Sequence, residues 1–314
     1  MNIKSKIAAG VVIVVVAVGG RAVSLGAALH LSPQRRPQKI TGKVSAPVTL
    51  PHSVTFREVH GRGLLVTTWI NSTGPFTFAI DTGAGITIIS PRVAAEAAVP
   101  VQQGPGPSIA GLSGAIVSAR AGTVQTIALG DSQNRLPART EVIVSDGLPR
   151  DLDGLLDTTD AFGQLGYAID IPHQELSFFD PRESALTTRS QPADGAVVAW
   201  QQQGNSRRPF VTLSTGEQAL IDTGSSLGFA IRDAGPPSPA SRSSAVRDVG
   251  GTVSAHRVAP RTVSIGSLVL RNVPTDVISG AASDAPVLLG LNALHPFKLR
   301  FDPLHRLIEI APSY

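Results

Sequence analysis

The chain has 314 residues, a length that favours about two domains with cores of ordinary size. Its composition is 42% hydrophobic but only 4% aromatic, with 31 glycines and 24 prolines. This composition is typical of short strands joined by many turns, so we predict a mainly β fold. The chain contains no cysteine, which excludes disulfide bonds and thiol catalysis.

The formal net charge of +4 originates in the N-terminal part of the chain. Residues 1–43 hold seven of the 27 basic residues and no acidic residue, which leaves 20 basic against 23 acidic residues in the remainder. The body of the chain is therefore mildly acidic. It has no basic run with interleaved aromatic residues, so we expect no nucleic-acid partner.

An apolar run at residues 7–20 lies between two lysines and Arg21. This pattern is typical of an export signal, so we assign residues 1–31 to a signal peptide or signal anchor, followed by a polar linker at 32–53. The run is shorter than the roughly 20 apolar residues of a spanning helix, yet apolar character resumes after Arg21, so cleavage and retention both stay open. We expect a periplasmic or extracellular protein, either released or anchored to the membrane by residues 7–31. A buried core helix is the alternative, which the lack of a polar face disfavours.

The sequence FAIDTGAGITIIS, at residues 78–90, puts one aspartate between two apolar runs. An ionised carboxylate is costly there unless a charge, a proton or hydrogen bonds compensate it, so Asp81 implies a sharp turn or a chemical role. A second stretch, ALIDTGSSLGFAI at residues 219–231, repeats the arrangement around Asp222. From average composition, one Asp-Thr-Gly arises in roughly one chain in twenty of this length, and two copies are much rarer.

The repeat extends beyond these two motifs. Residues 117–130 align without a gap to residues 253–266, and residues 153–178 align with one insertion to residues 286–310. We therefore predict two copies of one β-rich unit. The predicted boundaries are 54–180 for the first unit, 181–195 for a linker and 196–314 for the second unit. Short helices are predicted at residues 91–99 and directly after Asp157 and Gly290.

Two equivalent units related by an approximate twofold axis would bring Asp81 and Asp222 face to face. Carboxylates about 3 Å apart do not both ionise readily, and such a pair supplies an acid and a base at once. Glycine after each Asp-Thr permits a tight turn, and the threonine hydroxyl can brace the opposite loop. Two structural turn aspartates are the alternative. We predict Asp81 and Asp222 as catalytic residues, with the supporting loop residues Thr82, Gly83, Ala84, Thr223, Gly224 and Ser225.

These motifs resemble the pepsin and retropepsin superfamily of aspartic peptidases in a single-chain, two-copy form. The matching residues are Asp81-Thr82-Gly83-Ala84, Asp222-Thr223-Gly224-Ser225 and the later triplet Leu288-Leu289-Gly290. The resemblance covers most of residues 60–312. It implies two similar retropepsin-like β-barrel lobes related by a pseudo-twofold axis, with an active-site cleft between them.

The resemblance also implies an endopeptidase whose two aspartates activate a water molecule, with no cofactor, metal or covalent intermediate. Its partner would be a polypeptide substrate in extended conformation, and the chain would be a monomer that acts as an internal pseudo-dimer. The family covers its cleft with a β-hairpin flap, for which the candidates are residues 109–119 and 246–255. The glycines Gly111, Gly114, Gly250 and Gly251 are expected to let such a hairpin open. Ordinary surface hairpins are the alternative.

Two positions depart from the family pattern or separate the copies. Asp157 stands where the resemblance implies a glycine, and we expect it to be a solvated turn residue that glycine could replace. A loop acid near the cleft is the alternative. Ser225 is expected to place its hydroxyl on the outer oxygen of Asp222, whereas Ala84 offers Asp81 no such group.

Other functions stay open on the sequence alone. One is a catalytically inactive peptide-binding or scaffold protein with the same fold. Another is an exported β-rich adhesion or carbohydrate-binding module, although the chain lacks the clustered aromatic residues that such surfaces use. The seven histidines form no close pair, so no metal site is predicted.

Overall fold

The computed structural model describes residues 10–11, 16–18, 49–104, 106–137, 140–203, 206–232 and 243–313. It confirms a mainly β fold, built from several sheets with only short helices in the described residues.

Two short strands are described before residue 49. They are β1 (Gly10–Val11) and β2 (Val16–Val18). The rest of the predicted export signal and most of the predicted linker lie outside the described residues. Among those residues, no helix has the length and apolar character needed to cross a membrane.

The first half of the chain forms an eight-stranded sheet, the hairpin β8–β9 and part of a shared sheet. Its elements are β3 (Val54–Thr55), β4 (Arg57–Val59), β5 (Gly63–Ile70), β6 (Thr73–Asp81), β7 (Thr87–Ile89), α1 (Pro91–Glu96), β8 (Ser108–Ala110), β9 (Ile116–Ser118), β10 (Arg120–Val124), β11 (Ile127–Leu129), β12 (Thr140–Val144), β13 (Gly154–Asp157), α2 (Thr158–Ala161), β14 (Gly166–Asp170) and β15 (Glu175–Phe179).

The second half forms a nine-stranded sheet, to which β1 adds an edge, and the rest of the shared sheet. Its elements are β16 (Ala196–Ala199), β17 (Gln201–Gln203), β18 (Ser206–Thr212), β19 (Gln218–Asp222), β20 (Phe229–Arg232), β21 (Ser243–Arg247), β22 (Thr252–Ile265), β23 (Leu268–Ser279), β24 (Val287–Gly290), α3 (Leu291–Leu294), β25 (Phe297–Asp302) and β26 (Leu307–Pro312).

The same strand crossing occurs in both halves. Strand β13 pairs parallel with β6 and antiparallel with β7, while β24 pairs parallel with β19 and antiparallel with β20. The register places Asp157 beside Asp81 and Gly290 beside Asp222. Asp157 therefore occupies the position that glycine occupies in the second half, as the sequence alignment predicts.

The predicted helices form, and each is short. Ser90 begins α1, because its side chain accepts the N–H of Val93 and Pro91 fits the first helical position. The helix ends at Glu96, before the predicted end at residue 99, and Ala98 already has a left-handed φ of 47°. Helices α2 and α3 follow β13 and β24 directly.

A six-stranded sheet joins the two halves of the chain. In its order β16-β26-β25-β14-β15-β3, strand β14 of the first half pairs antiparallel with β25 of the second. Tyr167 of β14 lies opposite Phe301 of β25, and their rings stack with centroids 4.7 Å apart. Trp200 packs edge-on against the same phenylalanine at 5.9 Å. Because the largest apolar cluster includes residues of both halves, they share one core.

The sheets are open, so the prediction of β-barrels is wrong for the described residues. The eight-stranded sheet ends at β10 on one side and at β11 on the other, although these strands are consecutive in the chain. Between them, the side chain of Asn71 accepts the N–H groups of Gln125 and Thr126, at 2.9 and 3.3 Å. These donors belong to the connecting turn. The free edge of β10 pairs with residues 100–102 and the free edge of β11 pairs with residues 134–136, so the two strands do not pair with each other and the sheet stays open.

Candidate active site

Asp81 and Asp222 each lie at the end of an interior strand. Strand β6 has neighbours β5 and β13, and β19 has neighbours β18 and β24, so hydrogen bonds on both sides fix the two strands. Both aspartate side chains are 0% exposed. The sequence places a carboxyl group after an apolar strand in each half, and the fold buries both groups.

A reciprocal set of hydrogen bonds joins the loops that follow the two aspartates. Thr82 donates its hydroxyl to the carbonyl of Ile221 at 2.7 Å. Thr223 donates its hydroxyl to the carbonyl of Ile80 at 2.9 Å. Each hydroxyl also accepts the main-chain N–H of the other threonine, at 3.0 and 3.2 Å. All four bonds are buried and cross between the halves, so they fix the position of one loop against the other.

The glycines Gly83 and Gly224 bring the two carboxyl groups together. Gly83 N–H donates to Oδ1 of Asp81 at 2.8 Å, and a Cβ atom on Gly83 would lie 2.8 Å from Oδ1 of Asp222. Gly224 N–H donates to Oδ1 of Asp222 at 2.9 Å, and its Cβ atom would lie 2.4 Å from the carboxyl carbon of Asp81. Any side chain at either position would displace the opposite carboxyl group, so glycine is required for this approach.

Oδ2 of Asp81 and Oδ2 of Asp222 are buried and accept no N–H or hydroxyl group of the other described residues, and the two carboxyl groups interact with each other through a hydrogen bond. Burial raises the pKa of Asp81 well above its ordinary value, and the charge of Asp222 raises it further. Burial also raises the pKa of Asp222 to about 7, against the hydrogen bond from Gly224 N–H. Two such carboxyl groups retain a proton at pH values where a solvated aspartate has none. The pair can therefore act as acid and base together.

The hydroxyl of Ser225 does not bond to Asp222, so that expectation is wrong. The Ser225 side chain accepts the N–H of Leu227 at 3.3 Å instead. A Cβ atom on Gly290 would lie only 2.9 Å from the same hydroxyl oxygen of Ser225. Ala84, the corresponding residue of the first half, is fully buried.

Asp157 is fully buried, so the expectation of a solvated turn residue is wrong. Its Oδ2 accepts the hydroxyl of Thr159 at 2.7 Å and the N–H of Asp160 at 3.1 Å, which caps helix α2. Burial raises the pKa of Asp157 to about 7, although these hydrogen bonds oppose the shift. Because the side chain has buried partners, there is no longer a reason to expect that glycine could replace it.

Arg208 is a buried cation near the pair that the sequence analysis did not single out. Its side chain is 7% exposed, and its guanidinium lies 5.3 Å from the ring centroid of Phe210. Its Nη1 atom is buried without a hydrogen-bond partner among the described residues. The sequence gives no clear signal for this burial, because residues 208–211 of β18 are all buried and no alternation of exposed and buried positions marks Arg208.

The two candidate flaps are hairpins whose tips contact each other. The carboxylate of Asp248, at the tip of β21–β22, accepts the N–H groups of Gly250 and Gly251 at 2.8 and 2.6 Å. It also accepts the N–H of Ser113, at the tip of β8–β9, at 2.9 Å. A Cβ atom on Gly111 would lie 2.2 Å from the carboxyl carbon of Asp248. Glycine is therefore needed at the tip for the close approach of the hairpins.

The remaining flap glycines also lie at contacts. A Cβ atom on Gly250 would lie 2.6 Å from the carbonyl of Ala115, across the tip contact. Gly114 has a left-handed φ of 69° and faces Ala282. A Cβ atom on Gly251 would lie 3.3 Å from the hydroxyl oxygen of Ser113. All four predicted flap glycines thus meet at the hairpin tips or next to them.

Each tip also inserts one apolar side chain into the opposite half. Leu112 is 2% exposed and belongs to an apolar cluster with Phe210 and Leu220. Val249 is 5% exposed and belongs to a cluster with Leu65 and Ile88. The exchange buries apolar surface in both directions, so it stabilises the closed arrangement of the hairpins.

No group of three or more histidine, aspartate or glutamate side chains in the described ranges is arranged to hold a metal ion.

Comparison with known proteins connects part of the chain to one family. A family model described as aspartyl protease matches residues 66–158, which include β6 with Asp81 and β13 with Asp157. The match supports an aspartyl protease family for this segment. No curated protein matches the chain.

The buried carboxyl groups predict an unusual dependence of stability on pH. Because the pKa values of Asp157 and Asp222 are raised from 3.8 to about 7, the folded state keeps protons that the unfolded state has already released. The free energy of unfolding should therefore fall between about pH 4 and pH 7, by up to about 1.4 kcal/mol per pH unit for each such group. Urea denaturation across this range measures it.

The matched variant for this experiment is Asp157→Asn. Asparagine keeps an oxygen that can cap α2, but it does not titrate, so the decline in stability should become shallower. A wild-type stability that is constant or rises over the same range would contradict the assignment of raised pKa values.

The contact between the hairpins predicts a local effect of Asp248→Ala. The substitution removes the acceptor of three N–H groups, so both hairpins should open more often. Amide hydrogen exchange in residues 108–118 and 243–255 should accelerate on the order of tenfold or more, as expected for the loss of a charged acceptor. Asp146→Ala, at an exposed aspartate, is the control. Unchanged exchange in both hairpins would show that Asp248 does not hold them together.

Proposed function

We propose that the protein is an exported aspartic endopeptidase that hydrolyses peptide bonds with a water molecule activated between Asp81 and Asp222. One observation carries the proposal: two fully buried carboxyl groups meet between reciprocal loops, where glycines leave space for no other side chain. Two carboxyl groups in such contact hold one proton between them, which supplies the acid and the base that hydrolysis by a water molecule needs.

The proposed reaction uses the two protonation states of the pair. The ionised carboxylate takes a proton from the water as its oxygen attacks the peptide carbonyl carbon. The protonated carboxyl group donates its proton to the carbonyl oxygen, which gives a neutral gem-diol. The carboxyl group that took the water proton then gives it to the nitrogen, and the other carboxylate accepts a proton from a gem-diol hydroxyl. The C–N bond breaks, the C=O bond forms, and the pair again holds one proton. No covalent bond to the enzyme forms.

The two halves would work as an internal pseudo-dimer in a single chain. The reciprocal threonine bonds and the repeated strand crossing support two copies related by an approximate twofold axis. We place the cleft between the two halves and beneath the two hairpins, where an extended polypeptide would bind as a further strand. The apolar segment at residues 7–20 supports export to the periplasm or the cell exterior, with membrane anchoring by residues 7–31 in the retained form.

An inactive peptide-binding or scaffold protein is the second candidate. Asp157 favours it, because a carboxyl side chain replaces the glycine found at the corresponding position of the second half. Both candidate functions assume the same fold and a bound peptide, and they differ only in whether the protein hydrolyses that peptide.

Cleavage of an unfolded protein by the purified chain tests the proposal. Wild type should produce peptide fragments, and a peptide mimic of the tetrahedral intermediate should block their formation. Asp81→Asn and Asp222→Asn should each lower kcat/KM by at least about 10³-fold, because one carboxyl group cannot perform both proton transfers. Asp146→Asn, at an exposed aspartate, should leave cleavage unchanged.

Two results would reject the endopeptidase. Near-normal cleavage by either variant of the pair would exclude the two-carboxyl mechanism. Binding of the mimic by a wild-type protein that cleaves nothing between about pH 3 and pH 8 would support the scaffold protein instead.

A further inference from the structure

The surroundings of Asp81 and Asp222 differ, although their burial and their glycine N–H contacts match. Each is 0% exposed, and each accepts the N–H of the glycine two residues later at 2.8 or 2.9 Å. One difference lies within the loops, because the N–H of Ser225 also lowers the pKa of Asp222. Two further differences lie outside the loops.

The first difference is a carboxyl group beside Asp81. The register of β6 and β13 places Asp157 next to Asp81, whereas the register of β19 and β24 places Gly290 next to Asp222. A Cβ atom on Gly290 would lie 2.5 Å from the carbonyl oxygen of Leu227, so the second half has no space for a side chain there. A further buried carboxyl group, which ionises only near pH 7, is therefore present on the Asp81 side only.

The second difference is the buried guanidinium of Arg208. In the second half, Phe210 of β18 pairs with Leu220, which lies two residues before Asp222. In the first half, Leu65 of β5 pairs with Ala79, which lies two residues before Asp81. Arg208, two residues before Phe210, therefore corresponds to Gly63, two residues before Leu65. The first half has no cation at this position.

The Arg208 side chain is held without a partner carboxylate. Its Nε donates to the hydroxyl of Ser206 at 3.0 Å, and no ion pair of Arg208 occurs among the described residues. Burial lowers the pKa of Arg208, while the charges of Asp222, Asp157 and Asp81 oppose this shift, in that order of strength. The guanidinium thus acts most strongly on Asp222.

We propose that Asp157 and Arg208 act as positioning residues that place the shared proton on Asp81 and leave Asp222 as the ionised base. Both residues act in the same direction. The cation of Arg208 favours the ionisation of Asp222, and Asp157, whose pKa is raised to about 7, disfavours the ionisation of Asp81 once it has itself ionised above that pH. The assignment rests on the proposed function for its catalytic meaning, since it decides which aspartate activates the water. The proton distribution itself is a property of the folded chain.

Other charged groups interact with Asp157 or Arg208 rather than with the two aspartates of the pair. Asp160 contacts Arg207 at 3.2 Å and interacts with Asp157, and Asp284 interacts with Arg208. The ion pair of Asp160 and Arg207 largely cancels in charge. The order of the two aspartates therefore depends on Asp157 and Arg208.

Carboxyl carbon NMR of aspartate-labelled protein tests the proposal without any need for turnover. In Asp81→Asn the remaining carboxyl group is Asp222, and in Asp222→Asn it is Asp81. We expect the titration midpoint of Asp81 to lie at least about one pH unit above that of Asp222. Adding Arg208→Gln to Asp81→Asn should raise the midpoint of Asp222, and Arg208→Lys should raise it less. Adding Asp157→Asn to Asp222→Asn should lower the midpoint of Asp81.

The outcomes separate this assignment from the peptidase activity. Equal or reversed midpoints, or midpoints that neither Arg208→Gln nor Asp157→Asn changes, would overturn the assignment even in an active peptidase. The expected order in a protein that cleaves no peptide would reject the proposed function and retain the assignment. Chemical-shift spectra of the folded variants show whether each substitution leaves the fold intact.

Discussion

The structure depends on one constraint. Two carboxyl groups are buried at the same point, and the free-energy cost of their burial must be compensated. Neither Asp81 nor Asp222 has a cation within salt-bridge distance among the described residues, and a lone buried carboxylate is costly. The chain compensates them with loop N–H groups and with retained protons. This solution requires a separation set by the threonine bonds and by glycines that leave no space for side chains. The repeat in the sequence therefore follows from a chemical requirement for two matched loops.

The remaining architecture fixes these loops on two sides. Below them, β14 and β25 join the halves through one sheet and one core, so the two aspartates cannot separate without disrupting the stack of Tyr167 on Phe301. Above them, the hairpins exchange Leu112 and Val249 and share the carboxylate of Asp248. The lower contact is large and apolar, whereas the upper contact rests on a few groups. The upper contact is therefore the part that can open at low cost.

Local patterns in the sequence predict the mainly β fold and the helices after β13 and β24, and the repeat alignment predicts that Asp157 takes the position of Gly290. These features depend on alternation and on repeat alignment, which are visible along the chain. The open sheets, the burial of Asp157 and the partners of Ser225 could not be predicted, because they depend on contacts between distant residues. Arg208 was missed because arginine is usually exposed, and its burial on β18 follows no alternation that the sequence shows.

Central to this account is a buried pair that retains a proton at neutral pH. Potentiometric difference titration of the wild type against the Asp81→Asn, Asp222→Asn double variant counts that proton directly. Because burial raises the pKa of both aspartates, the wild type should bind roughly one proton more than the double variant at about pH 7. Two aspartates that ionise in their ordinary range would give no difference at that pH. A difference of zero at pH 7 would contradict the account.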